Sequence, residues 1–172
     1  MKRILTIFIF LIAMVLVACG ANRTSEAENA VESTLLAIKN ADVNELKKYV
    51  DDEGLDLAGI NNTNKEGDIS RLYLNEIEYN LLSSKEEDTN VLVTVEITAL
   101  DMNSVIMDFY KEVLNSGAKS DDEYLKLFQQ VIKDGNYEKV TSKIDVLAYE
   151  SSGKWRVKID DKLIKAITGA KE

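Results

Sequence analysis

The chain has no histidine, no proline and a single cysteine, Cys19, among its 172 residues. The lack of histidine removes the commonest general base and the commonest neutral metal ligand. A lone cysteine has no partner for an intramolecular disulfide, so the folded state depends on packing alone. The sequence also shows no set of residues with metal-ligand spacing. We therefore expect neither a metal ion nor a cofactor.

The first long apolar segment runs from Ile4 to Val17, directly after Lys2 and Arg3. A cationic start, an apolar segment and a small residue at the cleavage point are the parts of a secretory signal. As a helix this run of 14 residues would span about 21 Å, which is short of the hydrocarbon core of about 30 Å. A buried helix is the alternative, but it would show a polar face and would not need the two cations.

The end of this segment, Leu16-Val17-Ala18-Cys19, resembles the lipobox of bacterial lipoproteins. The resemblance implies that residues 1–18 are removed and that the Cys19 thiol carries a diacylglyceryl group. The alternative is a plain secretory signal with an incidental cysteine, although a free thiol on an exported protein would be a liability. Two or more acyl chains anchor stably, whereas one chain is marginal. We expect a lipid-anchored protein on the outer face of the cell membrane, with residues 19–25 as a tether.

Charge narrows the choice of partners. The net charge is −9, and loss of Lys2 and Arg3 would lower it to −11 in a mature chain of 154 residues. Such a balance argues against nucleic acid as a partner and against adhesion to anionic headgroups. The mature length suits one domain with a substantial core, which we place at residues 26–169.

The N-terminal half of this domain begins with helical patterns. Ser25 with Glu28 predicts an N-cap and a helix over residues 26–40, and Asp42 with Glu45 predicts a second, short helix. Residues 51–68 have no period and predict a loop. A calcium loop that began at Asn62 would need its bidentate glutamate at Tyr73, so that interpretation fails.

The rest of the domain alternates between two periods. Residues 76–81 and 91–100 alternate like strands, residues 102–134 follow helical spacing as a hairpin, and residues 140–149 and 154–159 alternate again. A short helix after Asp160 or Asp161 completes the order. Trp155 should lie on the buried face of the last strand, because the opposite face is cationic.

This order resembles the nuclear transport factor 2-like (cystatin-like) domains, including those of uncharacterised Gram-positive secreted lipoproteins. The stretches that carry the resemblance are 41–51, 91–101 and 154–167. The resemblance implies an α+β fold in which a curved antiparallel sheet packs against helices and often encloses a pocket, here with an inserted helical hairpin. It implies no particular function, because such a fold hosts enzymes, binding proteins and scaffolds alike.

Catalytic candidates on such a fold are a buried aspartate or tyrosine. They are Asp101, Asp108, Tyr79, Tyr110 and Tyr149. No spacing among them specifies a reaction, Asp101 also fits a helix N-cap, and Tyr110 also fits a core stripe. We therefore predict that the protein is not an enzyme, with an anchored enzyme as the alternative.

Aromatic residues supply the candidate binding positions. Tyr110, Tyr124 and Phe128 on the helical hairpin, together with Trp155, could line an apolar pocket, although such stripes are more often plain core. These residues predict a module that binds a small apolar ligand or an envelope protein. A further alternative, a structural component of an envelope complex, predicts an exposed apolar patch instead.

Overall fold

The computed structural model describes residues 23–58, 71–135 and 137–170. The predicted signal, Cys19 and residues 20–22 of the predicted tether lie outside these ranges. The helices are α1 (residues 23–39), α2 (Val43–Leu46), α3 (Asp52–Ala58), α4 (residues 71–74), α5 (Met102–Ser116), α6 (Asp121–Asp134) and α7 (Asp161–Ile167). The strands are β1 (Glu78–Glu87), β2 (Asn90–Leu100), β3 (Lys139–Ser151) and β4 (Lys154–Val157).

The four strands form one antiparallel sheet in the order β1-β2-β3-β4. The α+β class is therefore confirmed, and the helical hairpin α5–α6 lies between β2 and β3 as expected. Both sheet hairpins turn tightly: residues 88 and 89 join β1 to β2, and Ser152 and Gly153 join β3 to β4. Ser152 and Gly153 both have positive φ, of 53° and 70°. This conformation matches the right-handed twist of the flanking strands.

Alternation along β2 decides which face of the sheet is covered. Its inward side chains, Val91, Val93, Val95, Ile97 and Ala99, are all 0% exposed and share one core with apolar residues of α1, α5, α6 and α7. Each buried valine or isoleucine contributes about 1.5–3 kcal/mol. The opposite face is mixed: Thr94 donates to Asp145 at 2.7 Å, and Leu92 pairs with Leu147.

Helix α1 differs at its start from the expectation. Residues 23–25 are already helical, so Ser25 lies inside α1 and is not its N-cap, and the predicted tether is partly helix. Tertiary contacts hold the first described turn: Arg23 donates to the carbonyl of Thr89 at 2.9 Å, and Thr24 donates to Glu86 at 3.2 Å. Because both partners belong to the distant β1–β2 hairpin, local patterning could not reveal them.

The stretch expected as a loop over residues 51–68 is helical in its first part. Helix α3 begins at Asp52, and the backbone N–H of Gly54 donates to the side chain of Asp51 at 2.8 Å, in the manner of a helix N-cap. Residues 59–70 lie outside the described ranges, and most of the rejected calcium loop lies there. Tyr73, in α4, is a core residue that is 2% exposed.

The hairpin α5–α6 has the predicted caps. Asp101 accepts from the backbone N–H of Asn103 and Ser104 at the start of α5, and Ser120 with Glu123 forms a capping box at the start of α6. Gly117 ends α5 in the left-handed conformation. The prediction that Tyr110 belongs to the core is wrong, because its side chain is 61% exposed. Only part of the apolar stripe of α5 meets the core and α6.

Two segments that are distant in the chain meet at the edge strand β4. The backbone N–H of Val157 donates to the carbonyl of Tyr49 at 2.7 Å, so the residues after α2 extend the hydrogen bonding of the sheet edge. Val157 itself is buried and Trp155 is half-buried, as the alternation predicted. Among the described residues, no helix is long and apolar enough to cross a membrane.

Candidate functional site

The four aromatic residues that the sequence proposed as ligand contacts do not converge on one site. Phe128 is a core residue, 4% exposed, with its ring edge-on to Phe109 at a centroid distance of 5.3 Å. Tyr124 is half-buried on α6, and Tyr110 projects from α5. Trp155 belongs to β4 and contacts α1 instead. The hairpin aromatics and Trp155 therefore belong to separate surfaces.

Trp155 forms a wall of a groove of about 680 Å³ between α1, the residues after α2 and strand β4. We call this cavity the Trp155 groove. Its lining residues are Glu26, Asn29, Ala30, Lys47, Lys48, Tyr49, Lys154, Trp155 and Arg156. The indole Nε1 donates to the Glu26 carboxylate at 3.1 Å, and the guanidinium of Arg23 lies 5.7 Å from the centroid of the indole ring. This distance is within the range of a cation–π contact.

Arg156 holds two walls of the groove together. Its guanidinium donates to the carbonyl of Lys47 at 3.2 Å and to the carbonyl of Val50 at 3.0 Å. Together with the backbone bond from Val157 to Tyr49, these contacts fix the residues after α2 against β4. The shape of the groove is therefore built into the fold.

The charge of the groove is mostly positive. Its lining includes four cationic residues and one carboxylate, Glu26. Lys48 forms an ion pair with Glu45, and this hydrogen bond, followed by the charge of Glu45, raises the pKa of Lys48. Lys47 and Lys154 make no ion pair with a carboxylate of the described ranges. These two lysines are therefore the cations best placed to meet an incoming anion.

A second groove, of about 400 Å³, lies beside the helical hairpin. Asp108, Lys111 and Tyr137 are among its lining residues. The hydrogen bond from Lys111, at 2.7 Å, lowers the pKa of Asp108. Burial, and then the charge of Asp108, raise the pKa of Tyr137. The ring of Tyr137 lies over Gly135, where an added Cβ would come within 2.0 Å of it. Sequence patterning did not identify Tyr137.

The other polar candidates have structural partners. Asp101 is buried as the N-cap of α5. Tyr149 donates to Asp51 at 3.3 Å, and burial followed by the charge of Asp51 raises its pKa. Burial, and then the charge of Glu32, raise the pKa of Tyr79. None of these three residues lines either of the two grooves described above.

Tyr73, the residue whose place in the sequence excludes a calcium loop, has a buried hydroxyl and a large pKa change. Its hydroxyl donates to the carbonyl of Leu100 at 2.7 Å and contacts the carbonyl of Ile167 at 3.4 Å. Burial, and then the charge of Asp101, raise the pKa of Tyr73 well above its usual value. The hydroxyl therefore acts as a buried hydrogen-bond donor that joins three segments.

Helix α5 presents an exposed apolar surface. The exposed side chains are Ile106 (37%), Met107 (60%), Tyr110 (61%) and Leu114 (83%). We call these four residues the α5 face. Single exposed apolar side chains are ordinary, but several on one helix are typical of a contact surface.

The described ranges contain no group of three or more acidic, cysteine or histidine side chains placed to hold a metal ion. The chain matches no protein-family model, no curated protein and no solved structure. Its function must therefore be argued from its own residues.

Proposed function

We propose that this protein is a lipoprotein, anchored through Cys19 to the outer face of the cell membrane, whose domain is a binding module. Three observations on the sequence support the anchor: the cationic start, the short apolar segment and the lipobox-like Leu16–Cys19. We further propose a nuclear transport factor 2-like fold. The antiparallel sheet with helices against one face and an inserted helical hairpin supports it.

The single observation that carries the binding function is the Trp155 groove. A groove of about 680 Å³ lies in the size range of small-molecule sites. It combines an aromatic wall with fixed polar groups, and Arg156 braces it from within. A rigid concave surface of this kind suits recognition of a ligand.

An enzyme would be expected to hold a strongly perturbed titratable group inside a concave site. Tyr73 has a strongly raised pKa, but it lines neither groove and its hydroxyl donates to the backbone carbonyl of Leu100. Of the shifted groups that line a groove, Lys48 and Asp108 owe their shifts first to hydrogen bonds in exposed ion pairs, whereas burial comes first for Tyr137. These observations favour a binding module over an anchored enzyme.

The anchor is tested by changing its attachment atom. In the producing cell, Cys19→Ala should move the protein from the membrane fraction to the medium, because the acyl chains have no other attachment point. Cys19→Ser is a second variant of similar size that also removes the thiol. Retention of both variants in the membrane after a high-salt wash would overturn the anchor.

The binding function is tested with the protein purified from its own membranes. Native mass spectrometry should show a bound small molecule in the unaltered protein and its loss in Trp155→Ala. Tyr110→Ala, which also removes an aromatic ring, should retain the molecule because it lies on α5. Retention by Trp155→Ala, with loss from Tyr110→Ala, would move the binding site to the helical hairpin.

A structural role in an envelope complex is the second candidate function, and the α5 face favours it. Its partner would be an envelope protein with an apolar surface of its own, because the α5 face offers mainly apolar contact. A photo-crosslinking amino acid at residue 107 should capture one partner, and Leu114→Glu should abolish that product. A crosslink that survives Leu114→Glu would contradict docking through this face.

A further inference from the structure

The Trp155 groove differs in charge from the protein as a whole. The chain carries a net charge of −9, yet this groove gathers Lys47, Lys48, Lys154 and Arg156. Its one carboxylate, Glu26, accepts the indole N–H of Trp155. The expectation that the protein avoids anionic headgroups rests on the average charge, and this groove is a local exception to that average.

The cations of the groove come from separate segments, and a hydrogen bond fixes these segments relative to each other. Lys47 follows α2, whereas Lys154 begins β4. Arg156 binds the carbonyl of Lys47, so the two segments cannot separate without breaking this hydrogen bond. Lys47 and Lys154, contributed by two segments that are held together, both line the groove and provide charge for an anion that enters it. Lysine is well suited to binding phosphate as a point charge.

The aromatic side chains of the groove suit the membrane interface. Trp155 and Tyr49 are both half-buried, and both line the groove. Tryptophan and tyrosine are enriched at the headgroup level of membranes, because each joins an apolar ring to a polar tip. Their presence beside lysines favours a headgroup with attached acyl chains over a free inorganic ion.

The position of the groove relative to the proposed anchor points to the same ligand. Only residues 20–22 separate Cys19 from Arg23, whose guanidinium lies 5.7 Å from the centroid of the Trp155 ring. Four residue steps extend at most about 14 Å. A lipid on Cys19 would therefore hold the groove close to the headgroup layer.

We propose that the Trp155 groove binds the phosphate headgroup of an anionic phospholipid and so orients the anchored domain on the membrane. This inference rests on the proposed anchor at Cys19. It assigns a ligand class to the groove: a phosphate monoanion with a glycerol and acyl chains. Lys47 and Lys154 contact the phosphate, and Trp155 lies at the level of the glycerol.

Trp155 is the only tryptophan in the chain, so its fluorescence reports on the groove alone. The lipidated protein is reconstituted into vesicles of phosphatidylcholine with or without phosphatidylglycerol, in each case with a lipid-borne quencher at the headgroup level. Phosphatidylglycerol should increase quenching of Trp155, and raised salt should reverse the increase because it screens surface charge. Equal quenching in both kinds of vesicle would overturn the proposal.

Charge variants show whether the lysines carry the effect. Removal of one cation near an anionic surface should weaken the phosphatidylglycerol dependence about fivefold. We therefore expect Lys47→Ala and Lys154→Ala each to have this effect, and the double variant to lose most of it. Lys162→Ala, an exposed lysine of α7 outside the groove, is the matched control and should behave like the unaltered protein. An equal effect of Lys162→Ala would show that net charge, not the groove, is responsible.

Two further experiments are needed. The first distinguishes a lipid phosphate from a soluble phosphate, and the second distinguishes the groove proposal from the anchor proposal. Glycerol 1-phosphate is added to protein in phosphatidylcholine vesicles. A saturable change of Trp155 fluorescence there, with none from phosphatidylglycerol, would assign the site to a soluble phosphate and overturn the lipid assignment. Flotation with phosphatidylcholine vesicles tests the anchor alone. If the protein fails to float there but sediments with phosphatidylglycerol vesicles through Lys47 and Lys154, the lipid anchor is refuted. The proposal that the Trp155 groove binds a headgroup would then still stand.

Discussion

The hydroxyl of Tyr73 donates a hydrogen bond of 2.7 Å to the carbonyl of Leu100. This contact joins helix α4 to the end of strand β2, one of the two central strands of the sheet. The C-terminal segment meets the same point, because the backbone N–H of Met102 donates to the carbonyl of Thr168 at 3.2 Å. The end of β2 is therefore where helix α4, the start of α5 and the end of α7 are held together.

Tyr73→Phe should destabilise the fold. The change leaves the ring in place but removes the donor to a buried carbonyl, which costs about 1–3 kcal/mol. Urea unfolding of the purified protein measures the loss. Tyr110→Phe makes the same chemical change at a side chain that is 61% exposed, and should cost little. Equal effects of the two variants would contradict the structural role of the Tyr73 hydroxyl.

The pKa of Tyr73 predicts a loss of stability at alkaline pH. Folding raises this pKa above the value of about 10 that an unfolded chain has. The unfolded state therefore releases the proton first, so the stabilisation is complete below about pH 10 and declines as the pH rises further. Unfolding free energies between about pH 8 and about pH 11 should fall more steeply for the unaltered protein than for Tyr73→Phe. Parallel curves would show that Tyr73 does not titrate differently in the two states.

Gly169 has no room for a side chain. It has a φ of +57°, and an added Cβ would lie 2.3 Å from the carbonyl oxygen of Leu100. Gly169→Ala should lower the free energy of unfolding by about 1–2 kcal/mol, because alanine is strained in the left-handed conformation. Displacement of the backbone at Leu100 should lower it further. Gly117→Ala is the control, because its φ is +69° but nothing lies within 4 Å of the added Cβ. In thermal unfolding, Gly169→Ala should have a lower Tm than Gly117→Ala. The reverse order would contradict the close approach of Gly169 to Leu100.

The same substitution should cost much more stability at a buried leucine than at an exposed one. Leu35 is 1% exposed in α1, and Leu114 is 83% exposed in α5. Leu35→Ala should cost about 2–5 kcal/mol, as buried leucines do, whereas Leu114→Ala should stay within about 0.5 kcal/mol. Urea unfolding of both variants measures the difference. A large loss for Leu114→Ala in the isolated protein would mean that the α5 face is covered, for example by a second copy.

Local signals in the sequence predicted most of the described elements. The capping residues Asp42, Asp101 and Ser120 lie at the helix starts where their spacing placed them. Strand alternation also predicted β2, whose β-branched residues at every second position point to the same face. These signals are local in the chain, so they can be recognised in the sequence without knowledge of the tertiary structure.

Contacts between distant segments could not be predicted in this way. Arg23 in the first described turn of α1 donates to the carbonyl of Thr89, and Val157 at the edge of the sheet donates to the carbonyl of Tyr49. Tyr110 is exposed although the helical period of α5 placed it on the apolar stripe, because the period alone does not indicate which part of the stripe is covered. The pairing of Trp155 with Glu26 likewise joins residues far apart in the chain.

The sequence by itself determined the four strands, the helical hairpin between them and the short C-terminal helix, and it carries the prediction of a lipid anchor at Cys19. Each of these follows from residues that are close neighbours in the chain. Only the tertiary structure decided where the cations gather and which aromatic side chains face solvent. The Trp155 groove forms because β4 and the residues after α2 meet through Arg156 and Val157. No property of either segment alone specifies that meeting.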